Sequence, residues 1–420
     1  MTERRLINAA PVDLGARIII TLISALALAF VAPPMNLHWL QWAIYIPMFW
    51  VLRPTAERIP PNRWFLRSDT WLALLYGIVA EGAIFSWVVE TIDRFSHLGT
   101  FAAVGILTLF SIVFGLPYVL MWWGLPTIRR RFGTWWVLAF PAMLVVIEFA
   151  SMQLLLFPYT QGVAQYRMPS TFQLVSVTGL WGVSYLVMLV NCAFAEGIYR
   201  WREGREPPLI WIGVALGSWG AVNLFGVVRY NMVESQLQDA PVLRVAQIQD
   251  DIDMLDRMNA YPCETWNFWQ GQTEKLAPGS VDLIVWPEGA SVYPLNKPWR
   301  ARDYKNAPCK DIDQPMERLK ELAKKLDAEF LVGGTAIEIS PTPGKPSANT
   351  RTAYNSVYHV LPDGTTSRYD KLVPLPFGEY MPFADSLPWL AKLVKGPGRF
   401  GAGEQAVVFE GKARIATPIC

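Results

Sequence analysis

Charge, histidine and cysteine are all scarce in this chain. Of 420 residues, only 17% are Asp, Glu, Lys or Arg, and the net charge is +2. Bulk charge therefore argues against a nucleic acid partner. The three histidines, His38, His97 and His359, are scattered, and no two of the four cysteines stand at ligand spacing. No metal site is indicated. A Gly-rich phosphate loop and a Ser-His-Asp constellation are both missing, so no cofactor is suggested either.

Apolar residues fill the space. The chain is 52% hydrophobic, carries 19 Trp and has a mean hydropathy of +0.23, too apolar for an ordinary soluble domain. The remaining charge is unevenly spread. Up to about residue 230 the sequence reads as apolar blocks separated by arginine clusters; beyond that it reads as a globular domain of mixed charge. The boundary falls near Val228–Ala240, giving a membrane bundle over 1–228 and an extramembrane domain over 229–420.

Spanning a bilayer takes roughly 20 residues. Seven segments qualify, near 16–33, 36–52, 71–92, 99–123, 135–157, 172–197 and 208–228. The first lacks a small-residue cleavage site and is followed by further spans, so it reads as a span and not as a cleaved leader. Arg4 and Arg5, then Arg53, Arg58, Arg63 and Arg67, then Arg129–Arg131, then Arg200, Arg202 and Arg205 all fall on one side; the loops of the other side offer Arg94 and Arg167. Basic loops also attract anionic headgroups, but topology is the simpler reading. The positive-inside rule then makes the N-terminus cytoplasmic. Seven spans place the chain from about 229 outside the cytoplasm.

Two carboxylates, Glu81 and Glu148, fall inside spans, where ionisable groups are functional candidates; a structural hydrogen bond to a neighbouring helix is the preferred reading for each. Gly179, Gly182 and Ser184 in the stretch 173–191 permit close helix approach. Cys192 reads as an inert core residue.

From Val242 onward an α/β pattern emerges. Val242–Ile248 and Val281–Val285 read as strands, with a helix over Thr265–Lys275 between them. Met316–Leu326 has helical spacing. Glu329–Val332 is a strand turned by Gly333-Gly334-Thr335. Tyr354–Leu361 and Thr366–Tyr369 form a hairpin about Pro362-Asp363-Gly364, and Val407–Glu410 with Arg414–Pro418 form another. The whole suggests a layered α/β sandwich.

The stretch Val281–Ala290 organises the chemistry. Its strand ends at Trp286-Pro287, and Glu288 follows, where a rigid scaffold displays functional groups. Neighbouring Trp and Pro imply partial desolvation, a condition that suits a carboxylate to general-base work; a solvated turn Glu is the plain alternative. Lys371 ends a strand before a Pro- and Phe-rich run and could act as a fixed cation for an oxyanion, or simply be solvated. Glu379 could support the lysine or pair with another cation. Cys420 follows the apolar run Ile415–Ile419 and is either a nucleophile or a core thiol. Cys263 and Cys309 fall in the extracytoplasmic half, where a disulfide between them is permitted.

WPEGA, then YDKLVPLPFGEYMP, then a strand ending in Cys is a Glu–Lys–Cys order that resembles the nitrilase superfamily. Seven preceding spans, QLVSVTGLWGVSYLVMLVN and VAQIQ resemble one member family, the bacterial apolipoprotein N-acyltransferases. The resemblance implies an α-helical multi-span bundle followed by a nitrilase-like αββα sandwich, incomplete at its C-terminus. It implies Glu288 as general base, Lys371 as oxyanion stabiliser, Cys420 as nucleophile and Glu379 as an essential second carboxylate. The implied reaction moves an acyl chain from a phospholipid donor, through a Cys thioester, to the α-amine of a diacylglyceryl-cysteine apolipoprotein at the inner membrane.

The sequence departs from that family in places. Gly289 stands where Thr or Ser is usual, Leu372-Val373-Pro374 lacks a His, and Met258 lies near an expected Trp. The family continues past its Cys, whereas this sequence stops at Cys420. The chain as written is therefore expected to be inactive and incompletely folded. Rival readings are a membrane-tethered amidase or nitrilase acting on a small substrate, a non-catalytic remnant and a transporter. The first does not need seven spans, the second does not need the Glu–Lys–Cys set, and the third leaves the second domain unexplained.

Overall fold

The computed structural model describes residues 13–56, 68–96, 98–154, 160–249, 262–297, 314–342, 345–376, 378–381, 386, 400–417 and 419. The chain divides into two compact units, Met1–Ala240 and Pro241–Cys420.

The first unit is helical: α1 (Leu14–Val31), α2 (Ile46–Ala56), α3 (Ser68–Ile84), α4 (Trp87–Ser96), α5 (Thr100–Phe114), α6 (Leu116–Phe132), α7 (Trp136–Leu154), the single turns α8 (Pro169–Phe172) and α9 (Val175–Thr178), α10 (Leu180–Arg202) and α11 (Leu209–Gln238). By length and composition α1, α10, α11 and the stretch Thr100–Gln153 can cross a membrane, and α3 with α4 forms a pair bent by 59° that passes the same test together. The outward residues are apolar: Ile19, Ile23, Phe101, Leu109, Ile210 and Leu224 are all exposed. Water does not favour such a surface and lipid does, so this is a membrane protein.

Four of the expected spans are not single rods; the one near 36–52 is a 3-10 turn over His38–Trp42 followed by α2. The one near 71–92 bends between Ile84 and Trp87. The one near 99–123 divides at Gly115, where a side chain would lie 2.6 Å from the Ser111 carbonyl and 2.8 Å from Gly77 backbone; paired glycines let α3 come close. The one near 172–197 breaks at Gly179, whose φ of +63° is left-handed and costs glycine little.

The arginine-bearing ends of α6 and α10 meet. Buried Glu196 accepts from Trp136 Nε1 and Arg200 Nε, each at 2.9 Å. The Arg129 guanidinium lies over the Trp136 and Tyr199 rings at 5.1 and 4.7 Å, and the Tyr199 hydroxyl donates to the Phe49 carbonyl. The ends of α2, α6, α7 and α10 thus meet. Elsewhere, non-helical backbone is stitched by buried polar groups, as a bilayer interior demands. Gln41 Nε2 donates to the Gln161 carbonyl at 2.7 Å, Gln165 Nε2 to Gln41 Oε1 at 2.7 Å and Gly162 N to Ser184 Oγ at 2.8 Å. Glu148 belongs to this network, accepting from Gln161 N at 2.8 Å. Glu81 is buried, and its Oε2 accepts no hydrogen bond among the described residues.

The second unit holds a five-stranded sheet in the order β1-β2-β3-β4-β5: Val245–Gln247, Leu283–Pro294, Glu329–Thr342, Lys345–Val360 and Thr366–Asp370. β1, β2 and β3 are parallel, joined by crossovers that include α12 (Pro262–Thr273) and α13 (Pro315–Leu326); β3, β4 and β5 are antiparallel. One face packs Trp266, Trp269, Trp286, Leu319, Leu322 and Phe330 together. The other packs Leu283, Leu331, Tyr369 and Phe409. Phe409 comes from a separate hairpin, β6 (Val408–Glu410) and β7 (Arg414–Ala416).

Two expectations are corrected here. Gly333-Gly334-Thr335 is not a turn, because β3 runs through it to Thr342. The glycines are needed for clearance: a side chain at Gly333 would lie 2.2 Å from the Pro287 carbonyl, and one at Gly334 would lie 2.9 Å from Leu295 Cδ1. Nor does Trp286-Pro287 end its strand. β2 continues to Pro294, with register shifts against β3 between Trp286 and Ser291 and again before Pro294.

Candidate active site

Those register shifts make the first wall of the site. An irregularity of this kind redirects side chains without ending a strand. Glu288 lies inside it, and Gly289 beside it has a φ of +68°, a conformation that a β-branched residue resists. This is a local reason for glycine to follow the glutamate here.

The second wall comes from β4, β5 and the loop beyond. Lys371 follows directly on β5. Its main chain is held on both sides, N–H to the Asn355 carbonyl at 2.9 Å and carbonyl from Gly403 N at 2.8 Å. Its side chain is only 4% exposed, and Nζ lies 3.0 Å from Glu379 Oε2 and 3.8 Å from Glu288 Oε1. Glu379 is fixed by a tight local turn: Leu375 N donates to its carboxylate at 2.6 Å, and its own N–H donates to the Leu375 carbonyl at 2.7 Å. Burial works to raise the Glu379 carboxyl pKa, but the Asn355 amide, the Leu375 N–H and the Lys371 ammonium outweigh it and hold the group below the usual range.

The structure thus brings Glu288, Lys371 and Glu379 together. The expected desolvation of Glu288 is not met, since its side chain is 47% exposed; the bulge carries it off the apolar strand and out toward solvent. The ammonium sits closer to Glu379 than to Glu288. Cys420 lies outside the described residues, as does the Cys263–Cys309 pairing. Cys192 is fully buried on α10.

Asn355 is the residue the sequence reading missed. Its Nδ2 donates to Glu288 Oε1 at 2.5 Å and to Glu379 Oε1 at 2.6 Å. An amide nitrogen carries two hydrogens, one for each acceptor. The signal was available in the alternation of β4, where Asn355, Val357 and His359 share one face; polar residues on an otherwise apolar face ask for a partner.

Residues 24–193 match the family model described as apolipoprotein N-acyltransferase N-terminal domain. An apolipoprotein N-acyltransferase from Geobacter metallireducens is 28% identical over 417 residues, covering 96% of this chain and 72% of that protein. One from Chlorobaculum tepidum is 26% identical over 408 residues, covering 92% of this chain and 69% of that protein. Among solved structures, a CN-hydrolase superfamily protein from Xanthomonas campestris, with an arsenic adduct in its active site, covers 43% of this chain and 54% of its own at 20% identity. Its TM-score of 0.26 is too low to support an inference. The two alignments, each spanning over nine-tenths of the sequence, show that the chain is similar to apolipoprotein N-acyltransferases along most of its length.

Proposed function

We propose that this chain is a phospholipid:apolipoprotein N-acyltransferase of the inner membrane, with Cys420 as nucleophile. The observation that carries the reading is Lys371, a buried cation held against two carboxylates. That arrangement suits acyl transfer. Glu288 takes the proton of the Cys420 thiol, and the sulfur attacks the ester carbonyl of a phospholipid. Lys371 stabilises the oxyanion that forms. Collapse breaks the ester C–O bond, the departing lysophospholipid alkoxide takes up the proton, and a thioester remains. The α-amine of a diacylglyceryl-cysteine lipoprotein then attacks the thioester. An amide forms, the amine loses a proton to the base and the thiol is regenerated. Glu379 anchors the Lys371 ammonium throughout.

Apolar side chains beside this site suit lipid substrates: on the loop after Lys371, Val373 is 78% exposed and Leu375 is 42% exposed. The meeting of the arginine-bearing ends of α6 and α10 favours a bundle with that end in the cytoplasm; counting the seven apolar segments of the sequence as crossings then makes the second unit extracytoplasmic. Intact-mass spectrometry after incubation with phospholipid tests the reading. An added acyl mass, released by hydroxylamine and lost in Cys420→Ala, supports the reading and overturns the expectation that the chain as written is inactive. An adduct that survives the Cys420→Ala change would remove Cys420 from the role, and no adduct would remove the thioester.

A further inference from the structure

On the sheet face that carries Asn355, a second buried polar group has no part in the chemistry above. His359 Nε2 and Glu329 Oε2 are 3.0 Å apart, with side chains 1% and 5% exposed. The carboxylate's other oxygen faces a different element: Lys412 N, in the turn of the β6–β7 hairpin, donates to Glu329 Oε1 at 2.6 Å. Gly411 completes the fit, since a side chain there would lie 2.2 Å from Glu329 Oε2. Phe409 of β6 is 1% exposed and lies 5.3 Å from the His359 ring. At the rim, Lys412 Nζ reaches Asp282 Oδ1 at 3.0 Å.

A buried carboxylate needs all its partners, so this one ties two strands, β3 and β4, to the hairpin turn. The turn also precedes the proposed nucleophile in sequence. β7 leaves it at Arg414, Ile415 and Ile419 pack on the same apolar cluster, and Cys420 is the next residue. Along β4, His359 at this seat and Asn355 in the site share a face four residues apart, about 13 Å.

We propose that Glu329 and His359 are positioning residues for the nucleophile: they seat the β6–β7 hairpin and so set where the strand to Cys420 emerges. The inference rests on Cys420 as the nucleophile, but the seat itself can be read without activity. The experiment compares Glu329→Ala, Glu329→Gln, Gly411→Ala and wild type in detergent micelles. Amide exchange is followed over 407–417 and over β2–β4, and the rate of thioester formation is measured against phospholipid concentration.

Glu329→Ala and Gly411→Ala are expected to speed exchange at least tenfold in 407–417 alone. They are also expected to lower the maximal acylation rate at least tenfold with an unchanged half-saturating lipid concentration. Glu329→Gln retains one acceptor for Lys412 N and a donor for His359, so it is expected to restore both. Unchanged exchange in Glu329→Ala and Gly411→Ala would overturn the seat. Faster hairpin exchange with normal acylation would overturn the positioning role. Faster exchange throughout β2–β4 in both variants would show a general stabilising role and overturn it too. If wild type forms no thioester, the proposed function fails, while the exchange comparison still decides the seat.

Discussion

Asn355 holds Glu288 and Glu379 apart and in place with a single amide nitrogen, donating to one at 2.5 Å and to the other at 2.6 Å. The same two carboxylates also share the Lys371 ammonium. A hydrogen bond to a charged group contributes roughly 1.5–3 kcal/mol, so Asn355→Ala is expected to slow acylation about 10- to 100-fold. Loss of the Asn355 donor also removes one of the influences that lower the Glu379 pKa. The acid limb of the pH–rate profile should therefore move to higher pH, which single-turnover acylation between pH 4 and 8 would show.

Lys371→Met preserves bulk and removes the cation. By comparison with loss of one oxyanion donor elsewhere, the acylation rate should fall about 10²- to 10³-fold. Lipid binding, followed by co-purified phospholipid, should stay within twofold. A loss confined to lipid binding would take Lys371 out of the chemistry.

Glu379 also makes the fold sensitive to acid. Its folded-state pKa is depressed, so its contribution to stability is present above the unfolded carboxyl pKa and lost as pH falls through the folded value. Glu338, lowered first by its hydrogen bond to Arg368 against the opposing effect of burial, adds in the same direction. Thermal midpoints at pH 7 and pH 3.5 should therefore differ more in wild type than in Glu379→Gln.

Gln161→Leu tests the buried network of the bundle. It strips a donor from Tyr118 and an acceptor from the Tyr45 hydroxyl and the Gln41 amide. Each hydrogen bond lost contributes about 0.5–1.5 kcal/mol. The midpoint of thermal unfolding in micelles should drop by several degrees, with Cys420 chemistry retained in the fraction that remains folded.

Orientation is testable by labelling. Cysteine introduced as Glu206→Cys, in the arginine-bearing loop before α11, should resist a membrane-impermeant maleimide in intact spheroplasts. One introduced as Thr365→Cys, in the β4–β5 turn, should react. The reverse pattern would invert the bundle.

Much of this architecture was legible in the residues. The 3.6 spacing of Met316, Leu319, Leu322 and Leu326 found α13, and the PDG turn found the β4–β5 hairpin, because both signals are local. Lys371 and Glu379 drew notice because one follows a strand end and the other sits in a tight turn, and Glu288 because it follows Trp-Pro, which the structure places at a register shift inside β2. The misses share a cause as well. Gly333 looked like a turn residue and is a clearance residue; the difference depends on what lies across the sheet. Asn355 looked like strand filler until two carboxylates distant in sequence were placed against it. Trp286-Pro287 looked like a stop, because a strand that absorbs a Pro by shifting register leaves no local mark.

Gly333 also links two positions that no chemical step connects. With only 2.7 Å between a side chain built at Gly333 and the Glu288 Cα, the strand beneath and the glutamate above cannot be altered independently. Among natural relatives, any that replace this glycine should carry a compensating change in the WPEGA segment, a covariation detectable without knowing what the enzyme acylates.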